Sequence, residues 1–218
     1  MREIAIYCAG GLGREIACLI RSINEAAADS GSQWRFIGFF DDGKAKGASN
    51  EYGEVLGNMA DLNQWPTDLA VVIAVGSPKA LNAISNKITN PKISFPNLVA
   101  PDVKWLDRQN VTLGKGNIFC PRCLVSCNVH IGDFNILNFR ATVAHDSVIG
   151  NYNVLMPDVR VSGLVTVGDR NLLGAGSTII QMCKVCDDTI ITANSVLYGN
   201  AKDGNTYLGN PAKKTKLF

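Results

Sequence analysis

From residue 111 onward an apolar residue returns at every sixth position, and few folds can use that period. The positions are Leu113, Phe119, Val125, Ile131, Leu137, Val143, Ile149, Leu155, Val161, Val167, Leu173, Ile179, Val185, Ile191 and Leu197, fifteen in succession. Apolar residues make up 46% of the chain, so chance gives such a run with a probability of about one half to the fifteenth power in any one frame. Helices repeat at about 3.6 residues and strands at about two, and neither rule generates a six. A short flat strand followed by a corner does. Three such units close a triangular coil of eighteen residues, with aliphatic side chains turned inward and coils stacked at roughly 4.8 Å. The run predicts a five-coil parallel β-helix. Positions two before the aliphatic ones are mostly small or polar, among them Asn117, Asn135, Ser147, Asn153, Asn171 and Ser177. Glycine follows the aliphatic residue at 114, 132, 150, 168 and 174.

The first hundred residues alternate strand-like and helix-like segments. Glu3 to Tyr7 is a β-rich run that ends in Cys8-Ala9-Gly10-Gly11-Leu12-Gly13. An amphipathic stretch from Arg14 to about Ala28 follows, with Ile16, Leu19, Ile20 and Ile23 at helical spacing. Phe36 to Phe40 predicts a second strand closed by Asp41-Asp42-Gly43, and Leu69 to Val75 a buried strand stopped by Gly76-Ser77-Pro78. Lys79 to Ile88 predicts a helix, and Ile93 to Val99 a last strand before Pro101. The alternation predicts a parallel sheet with right-handed crossovers. The expected domains are residues 1–104 and 105–218.

Composition excludes more than it assigns. A net charge of +2 makes no case for nucleic acid, and the cluster of Lys213, Lys214 and Lys216 reads as a solvated tail. No apolar run is long enough to span a bilayer. With no signal-peptide pattern at Arg2 and Glu3, the expected location is the cytoplasm. Seven cysteines, an odd number, make a disulfide framework a poor expectation there. Two C-x-x-C pairs, Cys120/Cys123 and Cys183/Cys186, raise zinc. Sixty residues separate Cys123 from Cys183, three coils and one hexapeptide, which puts the pairs on different faces and roughly 14 Å apart along the axis. Thiolates that must sit at about 2.3 Å from one metal do not come together from there. The expectation is no metal. A zinc carbonic anhydrase of β-helix type needs three histidines, and this chain has His130 and His145 alone.

His145 falls two residues after Val143, at a corner of the coil. Imidazole is the side chain whose ionisation suits proton transfer near neutrality, and Asp146 beside it is placed to orient the ring. Surface decoration for His145 and a turn role for Asp146 are the plainer readings. Residues eighteen apart stack, so Cys127 lies one coil before His145 and Gly163 one coil after. Cys127 opens a covalent acyl-cysteine route, though a stacked cysteine is commonly filler. His130 precedes an inward Ile131, points outward and receives no role. Gly10, Gly11 and Gly13, after the first strand, offer backbone N–H groups and a helix N-terminus to a phosphate, or make a plain tight turn. Asp41 is placed for a ribose hydroxyl, but it lies 28 residues past Gly13, too far for the dinucleotide fingerprint.

These motifs resemble those of the hexapeptide-repeat acyltransferases. Gly209-Asn210-Pro211-Ala212-Lys213 matches the family's tail motif, and His145-Asp146-Ser147-Val148-Ile149-Gly150, with Asn138, its active-site pattern. One branch carries an N-terminal Rossmann-like domain that opens on a glycine-rich loop, and includes nucleotide-amino-sugar N-acetyltransferases and sialic-acid O-acetyltransferases of bacterial surface-glycan synthesis. Cys8 departs from the family's first glycine, and Leu12 stands where a histidine is usual. The resemblance implies an α/β Rossmann-like domain followed by a left-handed parallel β-helix, assembled as a homotrimer. It implies acetyl-CoA as cosubstrate and a nucleotide-linked sugar as acceptor. His145, Asp146 and Asn138 would be catalytic, with the Gly163 N–H facing the thioester carbonyl. Ala175, Ala193, Asn210 and Pro211 would border acetyl-CoA between subunits. Gly10, Gly11, Gly13, Asp41, Asp42 and Gly76 would hold the nucleotide. A sialic-acid O-acetyltransferase and a non-catalytic nucleotide-sugar-binding scaffold are the alternatives.

Overall fold

The computed structural model describes residues 2–27 and 33–216, and the chain divides into two compact units. One comprises residues up to Gly76 together with Ala80–Pro101. The other comprises Ser77–Lys79 and the residues from Asp102 on. The division falls at Pro101/Asp102, and Lys104–Trp105 pairs with Leu124–Val125 of the solenoid. No described helix is long and apolar enough to cross a membrane.

In the first unit the elements are β1 (Arg2–Tyr7), α1 (Gly11–Ala26), β2 (Trp34–Phe40), β3 (Ser49–Asn50), β4 (Gly53–Gly57), α2 (Met59–Asn63), β5 (Leu69–Ile73), α3 (Pro78–Lys87) and β6 (Ile93–Ser94). The sheet order is β3-β4-β2-β1-β5-β6, with only β3 antiparallel to its neighbour. After β1 the chain moves outward to β2 on one side and later to β5 on the other, so the order reverses beside β1. Helix α1 begins before Arg14, because the Gly10 carbonyl already accepts the Arg14 N–H at 3.1 Å. It buries Ile16, Ala17, Leu19 and Ile20, and the Ala28 expected near its end lies outside the described residues. The strand expected over Ile93 to Val99 is broken into Ile93–Ser94 and Leu98–Val99, with Pro96, which has no N–H to give a ladder, between them. Helix α3 starts on Pro78, where a missing N–H costs nothing. The short α2 went unread from the sequence. It is announced by Asn58 and Asp61, which form a capping box.

The second unit is the left-handed parallel β-helix. Face one stacks Ile118–Phe119, Ile136–Leu137, Val154–Leu155, Leu172–Leu173 and Ile190–Ile191. Face two stacks Lys104–Trp105 and then Leu124–Val125 through Val196–Leu197, and face three stacks Val111–Leu113 through Lys184–Val185. The strands pair in parallel at a register of eighteen residues, as Phe119 with Leu137 and Val143 with Val161. From Phe119 to Leu197 every aliphatic or aromatic position of the six-residue column is buried, none more than 2% exposed. Full burial is worth about 1.5–3 kcal/mol for such a side chain.

Corners carry a regular backbone strain. Residues three past the inward position adopt left-handed φ, as Asn128 (52°), Asp146 (58°), Leu164 (59°) and Met182 (65°) do on one corner. The column beyond face three is stitched by amides. Asn117, Asn135, Asn153 and Asn171 are fully buried. Each Oδ1 accepts the backbone N–H of the residue one coil on, at 2.8–2.9 Å. The Nδ2 groups of Asn117, Asn135 and Asn153 donate to the Gly132, Gly150 and Gly168 carbonyls. Among the described residues Asn171 Nδ2 has no partner, at the coil where Cys186 takes the glycine's place in the column. The solenoid also outlasts its hexapeptides. Thr206–Gly209 pairs in parallel with Ile190–Ile191, and Ala212–Thr215 folds back antiparallel through a cis Asn210–Pro211 bond.

Asn153→Ala orphans the buried Gly168 carbonyl and the Asn171 N–H, and each orphaned group costs about 1–3 kcal/mol. Urea unfolding followed by circular dichroism should show a loss of roughly 2–4 kcal/mol, against under 1 kcal/mol for an alanine at an exposed strand residue such as Thr166.

Candidate active site

His145 stands on the corner between faces two and three, in a column with Cys127 below it and Gly163 above. The left-handed turn at Asp146 brings that carboxylate back against the ring. His145 Nδ1 lies 2.8 Å from Asp146 Oδ2, with both side chains about half exposed (50% and 42%). Asp146 Oδ1 accepts from Asn128 Nδ2 at 3.1 Å. The hydrogen bond with His145 first, and that from Asn128 next, hold the Asp146 carboxyl below the ordinary carboxylate range. An ionised carboxylate only accepts, so Nδ1 is the protonated nitrogen of neutral His145 and Nε2 carries the free lone pair.

Nε2 looks at Gly163. A Cβ placed on Gly163 would lie 2.6 Å from Nε2 and 2.7 Å from Cε1, closer than any side chain tolerates. Glycine here is a requirement of the imidazole's position. The coil hydrogen bonds of this column run from Leu164 N–H to the His145 carbonyl (2.9 Å) and from Met182 N–H to the Gly163 carbonyl (3.1 Å). The Gly163 N–H has no acceptor among the described residues. A base nitrogen and an uncommitted backbone donor therefore share one corner, the arrangement that takes a proton from a nucleophile and steadies an oxyanion.

Residues 3–88 match the family model described as PglD N-terminal domain. No curated protein sequence matches the chain. WeeI from Acinetobacter baumannii is 26% identical with a TM-score of 0.85, over 99% of this chain and 100% of that one. The acetyltransferase domain of PglB from Neisseria gonorrhoeae, solved in complex with acetyl coenzyme A, is 26% identical with a TM-score of 0.82, over 98% and 99%. PerB from Caulobacter crescentus, solved with CoA and GDP-perosamine, shares the fold at 24% identity and a TM-score of 0.84, over 99% and 98%. Over nearly its whole length the chain is thus similar in fold to acetyltransferases.

The other residues singled out from the sequence fall elsewhere on the chain. Asn138 lies on the corner between faces one and two, 7% exposed, where its Oδ1 accepts from Cys120 Sγ at 3.7 Å and its carbonyl from Cys123 Sγ at 3.1 Å. Ala175 and Ala193, eighteen residues apart, stack on that same corner, one position along from the column of Asn138. Within one chain these three are not brought to His145. Asn210 and Pro211 form the exposed tip of the hairpin that closes face one. Cys120, Cys123 and Cys183 are buried thiols, and burial pushes Cys123 up to about 12. His130 is exposed on face three.

In the N-terminal unit, β1, β2 and β5 finish level, with Tyr7 paired to both Phe40 and Ile73. The loops at Cys8–Gly10, Asp41–Asp42 and Gly76 thus gather at the carboxyl ends where the strand order reverses, the usual crevice for ligands in open α/β sheets. Cys8 takes φ +88°, a glycine's conformation held by a cysteine, and its N–H donates to the Phe40 carbonyl at 2.7 Å. A Cβ on Gly13 would sit 2.0 Å from the Cys8 carbonyl oxygen, whereas Gly11 and Gly76 face open space. Gly13 makes the turn, and Gly11 leaves room. Asp41 accepts from the Ala9 and Gly43 N–H groups at 2.8 Å, and Asp42 from the Tyr7 hydroxyl at 2.7 Å and the Met59 N–H at 2.8 Å. Both carboxylates brace loops, with lone pairs to spare for a ligand hydroxyl. Burial and then the Asp42 hydrogen bond raise the Tyr7 phenol above its ordinary value.

Asn128 was missed in the sequence, although eighteen-residue arithmetic from Asp146 points straight to it. Its partnership with Asp146 has a direct readout. In His145→Ala the Asp146 carboxyl loses the larger of its two stabilising hydrogen bonds, so its midpoint in a carbon-13 NMR titration should rise toward the ordinary value of about 3.9. An unmoved midpoint contradicts the pairing.

Proposed function

We propose that this protein is an acetyl-CoA-dependent N-acetyltransferase acting on the amine of a nucleotide-linked amino sugar, in the cytoplasmic synthesis of a bacterial surface glycan. The observation that carries the proposal is the corner itself, where His145 Nε2 is bare and the Gly163 N–H is uncommitted. The acceptor amine attacks the thioester carbonyl carbon and Nε2 takes the proton the amine sheds. The carbonyl oxygen collects negative charge against the Gly163 N–H, an interaction worth about 2.7–4 kcal/mol in enzymes generally. Collapse of the tetrahedral intermediate expels the CoA sulfur, which leaves as thiolate or receives that proton. Asp146 keeps the ring in the tautomer this requires and stabilises the imidazolium. In the N-terminal unit, Gly10, Gly11 and Gly13 receive the nucleotide's phosphates at the start of α1, where no first-turn acid opposes them. Asp41, Asp42 and the Gly76 loop border the nucleoside. The likeness to an acetyl-CoA-bound PglB domain supports the cosubstrate.

A homotrimer follows from the same reading. His145 and Gly163 occupy one corner of the triangle, while Asn138, Ala175 and Ala193 occupy another. Threefold packing sets the second corner of one copy against the first corner of the next, completes the catalytic set and encloses acetyl-CoA with Asn210 and Pro211 at its edge. Sedimentation should find a trimer at concentrations where the enzyme is active. A fully active monomer rules this arrangement out.

In activity assays with acetyl-CoA and a panel of nucleotide amino sugars, His145→Ala should lower kcat by roughly 10²–10⁴ and leave the KM for acetyl-CoA nearly unchanged, as removal of a positioned general base does. Gly163→Ala pushes the imidazole aside and should cost about 10² in kcat without unfolding the solenoid. Cys127→Ala should be close to neutral. If His145→Ala keeps more than about a tenth of kcat, the general-base assignment is wrong, and an inactive Cys127→Ala replaces it with an acyl-cysteine route.

A further inference from the structure

We infer that Asn128 is a positioning residue of the reaction, clamping the Asp146 carboxylate from the coil below so that the carboxylate can in turn fix His145. The inference rests on the general-base reading of His145.

Three observations carry it. First, the carboxylate is gripped at both ends, with Oδ2 on His145 Nδ1 and Oδ1 on Asn128 Nδ2. One hydrogen bond leaves a carboxylate free to swing about its Cβ–Cγ bond. Two bonds, on different oxygens and from different coils, leave a single orientation. Second, the clamp is exposed, and nothing in the packing needs it. Asp146 and Asn128 are surface corner residues, whereas the amides that hold the solenoid together are fully buried. Third, both residues hold left-handed φ, 52° and 58°. That conformation turns each side chain along the corner, so that the amide reaches up one coil to the carboxylate. The same column continues as Leu164 and Met182, which can make no such bond. The polar clamp is confined to the coil of the histidine and the coil beneath it.

The chemistry gives the clamp a sense. A carboxamide nitrogen can only donate, so it favours Asp146 as the ionised acceptor and disfavours the protonated acid. The Asn128 hydrogen bond stands second among the causes that hold that carboxyl low. An Asp146 kept ionised and motionless keeps the proton on Nδ1 and the lone pair on Nε2, the only tautomer that accepts a proton beside Gly163. Asn128 touches none of the reacting atoms, and its effect passes through Asp146 to the ring.

Asn128→Gly is the informative variant, because glycine adopts left-handed φ without strain and removes only the amide. In the full-length enzyme kcat should fall by roughly ten-fold or more, as loss of a hydrogen bond to a charged group implies, with the KM for acetyl-CoA within two-fold. The Asp146 carboxyl midpoint should rise, while the melting temperature stays within a few degrees. Asn128→Asp, which sets a like charge against Asp146, should raise that midpoint further and be slower than the glycine variant. Wild-type kcat together with an unmoved Asp146 midpoint in Asn128→Gly overturns the inference. So does a lowered melting temperature with an unmoved midpoint, the signature of a purely structural residue. A fully active His145→Ala would sink the general-base reading and with it the catalytic part of this one. An Asp146 midpoint that still rises in Asn128→Gly would then leave only the clamp itself standing.

Discussion

From Val111 to Leu197 each coil of the solenoid hangs from its neighbour by parallel backbone hydrogen bonds at a register of eighteen residues, and most else in that unit is a consequence of the register. It stacks like on like. An aliphatic side chain meets an aliphatic one, an amide meets an amide, and the interior fills as columns rather than as a jigsaw of unrelated shapes. Because each coil touches only the coils above and below, the fold needs no long-range closure. It tolerates any residue on its outer surface so long as the inward column is kept, and that freedom is what lets a corner be given over to chemistry.

The corners are where the register is expensive. A flat strand of two residues must turn sharply to begin the next face, and the turn forces left-handed φ on residues that are mostly not glycine, at about 1–3 kcal/mol each in general. Asp146 is one of them. The strain is offset by the burial along the columns, and in return a side chain that would otherwise follow the strand is folded back beside its predecessor. The contact between Asp146 and His145 is thus produced by a backbone conformation that the solenoid imposes at every corner, not by a loop evolved for the purpose.

The fold was legible because its signal is periodic: a six-residue column with no exception from Leu113 to Leu197 admits few other readings. His145, Asp146 and Gly163 were placed correctly on one corner by the same arithmetic. What stayed hidden depended on geometry within a period. The buried role of Asn117 and its partners shows in sequence only as small or polar residues before the aliphatic ones, with nothing to say that their amides interlock. Lys104–Trp105 escaped because the spacing from Trp105 to Val125 breaks the six, and Thr206–Gly209 because its side chains follow no hexapeptide. Asn138 was carried over from a motif and not from the column arithmetic, which sets it directly after the inward Leu137, one corner before the corner of His145. In the N-terminal unit, Asp41 and Asp42 were legible as carboxylates at a strand end, but not as braces, because their donors come from three separate stretches of chain, Tyr7 and Ala9, Gly43, and Met59.

A stack of parallel strands has two open ends, and each is a row of unpaired backbone groups that a further strand from any chain can join. On face one the last parallel strand, Thr206–Gly209, is covered by Ala212–Thr215 running the opposite way. The reversal breaks the eighteen-residue repeat, so the next surface offered is no longer the template that a coil would recognise. That surface carries Lys213 and Lys214, both exposed, and their charges resist the approach of another edge. The lysines that read in sequence as a solvated tail therefore sit on an antiparallel edge, and charge at an edge strand disfavours pairing with a further strand.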